Sequence, residues 1–200
     1  MIGMKTYPFQ YQPQGDKMRK TIAVTFALLS ILSSSLIAQG ASPLQKFSPE
    51  QAKLSFLIGT FTTETQVMPG PMSPTGSKGA GTSVLTWSLD SMFVALDEQS
   101  INPVFGNYKG RGMLGFNKRE GKYVLSMFNN FGDAPQYRGN FSGDTLILTT
   151  KVEFPGRSFE QRLVWFKDNN AVRLMIFNDM GKGPVQTIDQ TYIPAAQTKK

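Results

Sequence analysis

The chain contains no cysteine and no histidine. That removes thiol nucleophiles, disulfide frameworks, Cys/His zinc sites, His-ligated haem and every Ser-His triad together. Its basic excess is also modest where it matters. Of the net +7, residues 1–40 hold +3, with Lys5, Lys17, Arg19 and Lys20 against Asp16 alone, so the remainder carries +4. Those later cations stand singly, and the one dense group, Lys118-Arg119-Glu120-Gly121-Lys122, is interrupted by an acid inside a turn signal. A phosphate backbone needs several cations on one face, so no nucleic-acid partner is expected. Asn129-Asn130-Phe131-Gly132-Asp133 is rich in oxygen but lacks the spaced carboxylates of a calcium loop. No metal and no cofactor is expected, and nothing points to an oligomeric state.

What is present is 40% apolar and 12% aromatic residues over 200 positions, enough to fill one core. Near the front, Met18-Arg19-Lys20 leads into an uncharged, mostly apolar run from Thr21 to Ala38, then Gln39-Gly40-Ala41-Ser42-Pro43. A positive head, an apolar middle and a small-residue exit predict a signal peptide over 1–40, cleaved near Ala38 to Gly40. Residues 1–17 are polar and precede a signal that is already complete from Met18, which reads as the true start. The apolar run is short for a bilayer span and diluted by Ser30, Ser33, Ser34 and Ser35. Without a cysteine, lipid attachment is also excluded. The expectation is a periplasmic or secreted product with no stable membrane insertion after cleavage, and a single domain over 41–200.

That domain begins with a short helix: Ser48 caps, Pro49 takes the first turn, Gln51 completes a capping box, and the apolar face ends at Gly59. Everything after it reads at period two. Ten runs stand out, at about 59–67, 80–89, 93–101, 108–117, 122–129, 135–141, 144–152, 158–167, 171–178 and 186–193. Most breaks between them are of hairpin length, whereas the Pro/Gly stretch 68–79 is a long loop. Sequential antiparallel strands either stack as two sheets or close on themselves, and closure removes exposed edges. The expected fold is all-β, an antiparallel up-and-down barrel of about ten strands, wide enough for an internal pocket.

Gly110-Arg111-Gly112-Met113-Leu114-Gly115 matches a dinucleotide fingerprint, but that mechanism needs a helix to follow it, and another strand does. These glycines instead read as room for a strand to bend or a side chain to cross. Asp97 and Glu98 are adjacent in one strand and point to opposite faces, so they share no proton. With Val94 and Leu96 inward, Glu98 is inward too, and an interior carboxylate needs a cation, for which Arg162 is the candidate. Trp87, in Leu85-Trp87-Leu89, and Trp165, in Phe159-Gln161-Leu163-Trp165, look core-facing. The methionines add adaptable apolar surface.

Leu57-Ile-Gly-Thr-Phe61, Pro69-Gly-Pro71, Gly79-Ala-Gly81, Gly110 to Asn117, Lys122-Tyr-Val124, Gly139-Asn-Phe-Ser142 and Thr187 to Tyr192 together resemble the bacterial domain of unknown function 1579, over about 54–194. The resemblance implies a calycin-type barrel, similar to lipocalins, fatty-acid-binding proteins and nitrobindin-like haem barrels. It implies no reaction, and haem does not carry over to a chain without histidine. Phe61 and Met127-Phe128 stand where relatives tend to show Trp, so any pocket has its own shape. The leading expectation is a non-catalytic exported barrel holding a small, largely apolar molecule, with Trp87, Leu96, Phe116, Met127 and Trp165 as wall and Glu98 or Arg162 as polar anchor. The alternatives are an acid/base enzyme using Glu98 with Arg162, and an envelope interaction module with a packed interior.

Overall fold

The computed structural model describes residues 48–195, except 72 and 155. The expected signal peptide over 1–40, the start at Met18 and positions 41–47 lie outside the described residues. The capping box forms as the sequence implies: the Ser48 hydroxyl accepts from the Gln51 backbone N–H, and the Gln51 side chain accepts from the Ser48 N–H at 2.9 Å. The helix it starts, α1 (Pro49–Ala52), tightens at once into a 3₁₀ turn, Lys53–Leu57.

Ten strands follow: β1 (Gly59–Val67), β2 (Ser77–Ser88), β3 (Phe93–Asn102), β4 (Gly106–Asn117), β5 (Lys122–Asn129), β6 (Gln136–Ser142), β7 (Thr145–Phe154), β8 (Arg157–Asp168), β9 (Ala171–Asp179) and β10 (Pro184–Pro194). Each pairs antiparallel with its neighbour in sequence, and β1 pairs with β10, so the sheet closes into a barrel. The up-and-down barrel read from the sequence is the architecture found. One boundary differs. β2 starts at Ser77 rather than 80, because Ser77, Lys78 and Gly79 pair with Val67, Gln66 and Thr65, which shortens the Pro/Gly loop to 68–76.

Strand periodicity then sorts the side chains into inside and outside. Leu85, Val94, Leu96, Leu114, Leu125, Leu146, Leu148, Leu163, Trp165, Val172 and Leu174 are buried together, and the 3₁₀ turn adds Leu54 and Leu57 from below. The Tyr123 hydroxyl donates to the Glu50 carbonyl at 2.8 Å and ties the helical segment to the wall. This half of the barrel is packed solid. The gap among Leu57, Phe61, Leu85, Trp165, Val172 and Tyr192 has no room for a water-sized sphere.

The glycine pattern of β4 makes such packing possible. A Cβ on Gly112 would lie 2.3 Å from the Met127 sulfur, and one on Gly115 would lie 2.3 Å from the Phe93 ring. The strand runs straight on through Phe116 and Asn117, so no helix N-terminus exists there to hold a pyrophosphate.

Because Leu57 is 2% exposed and fills the closed end, Leu57→Ala should remove about 2–5 kcal/mol of stability. Urea unfolding should show a lower midpoint with an unchanged slope. A midpoint that stays put would mean the helical segment does not seal the core.

Candidate functional site

Above the packed half, the inward positions turn polar. Glu98 comes from β3, Ser83 from β2, Thr63 from β1, and Gln190 and Tyr192 from β10, four consecutive staves of the closed barrel. All five are buried, between 1% and 7% exposed. Their parity is dictated by the apolar neighbours: Val94-x-Leu96-x-Glu98 on β3, Leu85 two before which stands Ser83 on β2, and Phe61-x-Thr63 on β1.

Glu98 and Gln190 reach toward each other across β1 and β2, where the small Thr63 and Ser83 leave space. The Gln190 amide donates to Glu98 Oε1 at 2.6 Å. The Tyr192 hydroxyl donates to Glu98 Oε2 at 3.4 Å and itself hydrogen-bonds with Trp165. A line therefore runs from the indole of Trp165 through Tyr192 to the carboxyl of Glu98. Tyr108 lies over Gly110, where any Cβ would sit 2.4 Å from its hydroxyl oxygen. Since Gly110 pairs with Glu98, the Tyr108 phenol faces the same layer. On the far wall the Tyr137 hydroxyl donates to Gln161 Oε1 at 2.6 Å, and Gln161 donates to Asn178 Oδ1 at 3.0 Å.

The electrostatics of this layer are one-sided. Burial pushes the Glu98 carboxyl up, and the bonds from Gln190 and Tyr192 only partly oppose it. None of the ion pairs among the described residues includes Glu98. Burial likewise raises the phenols: Tyr137 is pushed up to about 12, and Tyr108 and Tyr192 are raised by desolvation first and by Glu98 second. Two hydroxyls, Thr63 Oγ1 and Ser83 Oγ, are buried with no hydrogen-bond partner. Chemically this is a carboxyl and phenol layer with spare hydroxyls and no side-chain cation among the described residues.

The residues singled out from the sequence fall as follows. Leu96 and Trp165 are core, while Trp87, Phe116 and Met127 are half-buried and pack against it. Glu98 is inward. Arg162 corrects the expectation: it stands on the outer face, with its guanidinium 3.2 Å from Glu160. Trp165 and Arg162 are three apart on β8, so an inward Trp165 puts Arg162 outside. The Glu98–Arg162 pair does not exist, and the acid/base arrangement built on it goes with it. Asp97 is outward as read, 2.9 Å from Arg111. Sequence reading missed Thr63, Ser83, Tyr108, Tyr137, Gln161, Asn178, Gln190 and Tyr192. The available signal was a polar residue at inward parity, as in Phe159-Gln161-Leu163.

A closed ten-stranded antiparallel barrel with a short helix near its first strand is the class this chain defines. Residues 46–192 match the family described as protein of unknown function (DUF1579), and the chain belongs to that family. Among solved structures it is similar in fold to Rv2717c from M. tuberculosis, at 14% identity and a TM-score of 0.54, over 74% of this chain and 98% of that one. No curated protein matches the sequence.

A raised Glu98 pKa has a thermodynamic consequence. The folded state holds this proton to higher pH than the unfolded chain, so stability from this group is fully present below the ordinary carboxylate range and is lost as pH rises through the folded value. Chemical denaturation across pH should show this loss in the wild type and a flatter profile in Glu98→Gln. Parallel profiles would mean that Glu98 is ionised and solvated.

Proposed function

We propose that the protein is an exported, non-catalytic barrel that binds a small molecule in the mouth-side half of its interior. The polar layer takes the ligand's polar group. Its largely apolar body lies toward Val67, Met127, Ile176 and Ile188, the inward or half-buried apolar residues around that half. The packed leucine half lies below the site, and its Trp165 acts through Tyr192 rather than as open wall.

The observation that carries this reading is a buried carboxyl without a cation, beside two buried hydroxyls without partners. Each orphaned polar group costs about 1–3 kcal/mol, and burying a carboxyl costs more. A fold with an otherwise apolar core has no structural need for them. A ligand that satisfies these groups recovers the loss on binding, and strongly perturbed groups of this kind concentrate at functional sites. Export rests on the sequence pattern of residues 18–40.

Native mass spectrometry of the protein isolated from its own host's envelope tests both parts. The expected species is a chain cleaved between Ala38 and Ala41 that retains a small molecule released on unfolding. A bare mass under conditions that preserve the fold would overturn binding, and a mature mass still including residues 1–38 would overturn export.

A further inference from the structure

Resting on the interior-binding reading, the geometry points to a primary ammonium as the group the polar layer recognises. The argument is a match of donors to acceptors. An ammonium carries three N–H donors and no acceptor. On the arc from β3 to β1 the layer presents three oxygen-bearing groups in succession: the Glu98 carboxyl and the unpartnered hydroxyls Ser83 Oγ and Thr63 Oγ1. Ser83 pairs directly with Glu98 across β2 and β3, which sets the two side chains about 5 Å apart at Cβ. Thr63 is diagonal to Ser83, since Phe61 pairs with Ser83 and Thr63 with Gly81.

Charge selects in the same direction. Ser83 from β2, Tyr108 from β4, and Gln190 and Tyr192 from β10 face Glu98 with uncharged groups, and the one further charge acting on Tyr108 and Tyr137 is the carboxylate of Asp133. An anionic headgroup would meet the Glu98 carboxyl with no side-chain cation beside it to neutralise either. A neutral alcohol brings one donor to three oxygen-bearing groups, where an ammonium brings three.

The binding step balances as a proton exchange. Where Glu98 holds its proton, that proton passes to solvent, the carboxylate that remains pairs with the incoming ammonium, and the ammonium keeps its own three protons. Gln190 and Tyr192 already donate to the same carboxyl and hold its two oxygens in place. Cation binding therefore strengthens as pH rises toward the folded-state value of Glu98.

The test uses three four-carbon probes, n-butylammonium, 1-butanol and butyrate, titrated against the folded protein while NMR follows the Gln190 side-chain amide and the Trp165 indole N–H. Butylammonium should shift both resonances saturably, at least roughly tenfold more tightly than butanol, and butyrate should not. Glu98→Gln should remove that preference. Should this variant not fold, the wild type decides: affinity for butylammonium should rise at least roughly tenfold as pH climbs from the ordinary carboxylate range toward the folded-state value of Glu98, while that for butanol stays flat. Equal binding of butanol or butyrate, or a pH-independent ammonium affinity, overturns the cation assignment and leaves interior binding standing. If none of the three probes moves either resonance, interior binding itself falls.

Discussion

The contact between β1 and β10 is the constraint on which the molecule depends. Phe61 through Val67 pair with Pro194 back to Ile188, and only this register brings β10 beside the start of the chain. Neighbouring strands lie about 4.8 Å apart, so Glu98 and Gln190 stand three spacings apart on the wall although they are 92 residues apart in sequence. Open the seam, and the carboxyl of Glu98 loses both partners together. Closure also leaves no unpaired strand edge, which a chain without a disulfide cannot staple by other means. The edge-on contact of Phe61 with Tyr192, at 5.9 Å between ring centres, seals the seam on its inner side.

The barrel divides its interior between two tasks. Below, leucines from seven of the ten strands and two from the 3₁₀ turn fill the space, each contributing about 1.5–3 kcal/mol by leaving water. Above, a layer of carboxyl, amide, phenol and hydroxyl groups runs from wall to wall and weakens the fold locally. The two halves meet at Trp165, whose ring belongs to the core and whose indole reaches Tyr192. The packed half fixes the position of the polar half to within side-chain freedom, which is what a selective binding layer requires.

Much of this was legible in the residues. Alternation marked nearly every strand, the capping box marked the helix, and Val94-x-Leu96-x-Glu98 placed Glu98 inside. The failures have equally physical origins. On β8 both parities carry large apolar residues, Leu163 and Trp165 on one face and Val164 and Phe166 on the other, so sidedness had to come from the register with β7 and β9. That register puts Arg162 outside. Gln190 and Tyr192 escaped notice because their position depends on the irregularity between Gln186 and Ile188, which shifts β10 against β9, and on the closure with β1. No local pattern encodes a partner reached by going once round a barrel. The early start of β2 was hidden because Ser77-Lys78-Gly79 have weak strand propensity and are held by pairing with Thr65–Val67.

A buried, cation-free carboxyl at the centre of the polar layer is the claim from which the rest follows. The direct measurement is a ¹³C NMR titration of the Glu98 side-chain carboxyl in the ligand-free protein. The account predicts a single transition displaced above the ordinary glutamate range, with the Tyr192 and Gln190 resonances moving in step. A transition at or below that range, or one to which Gln190 and Tyr192 do not respond, would contradict it.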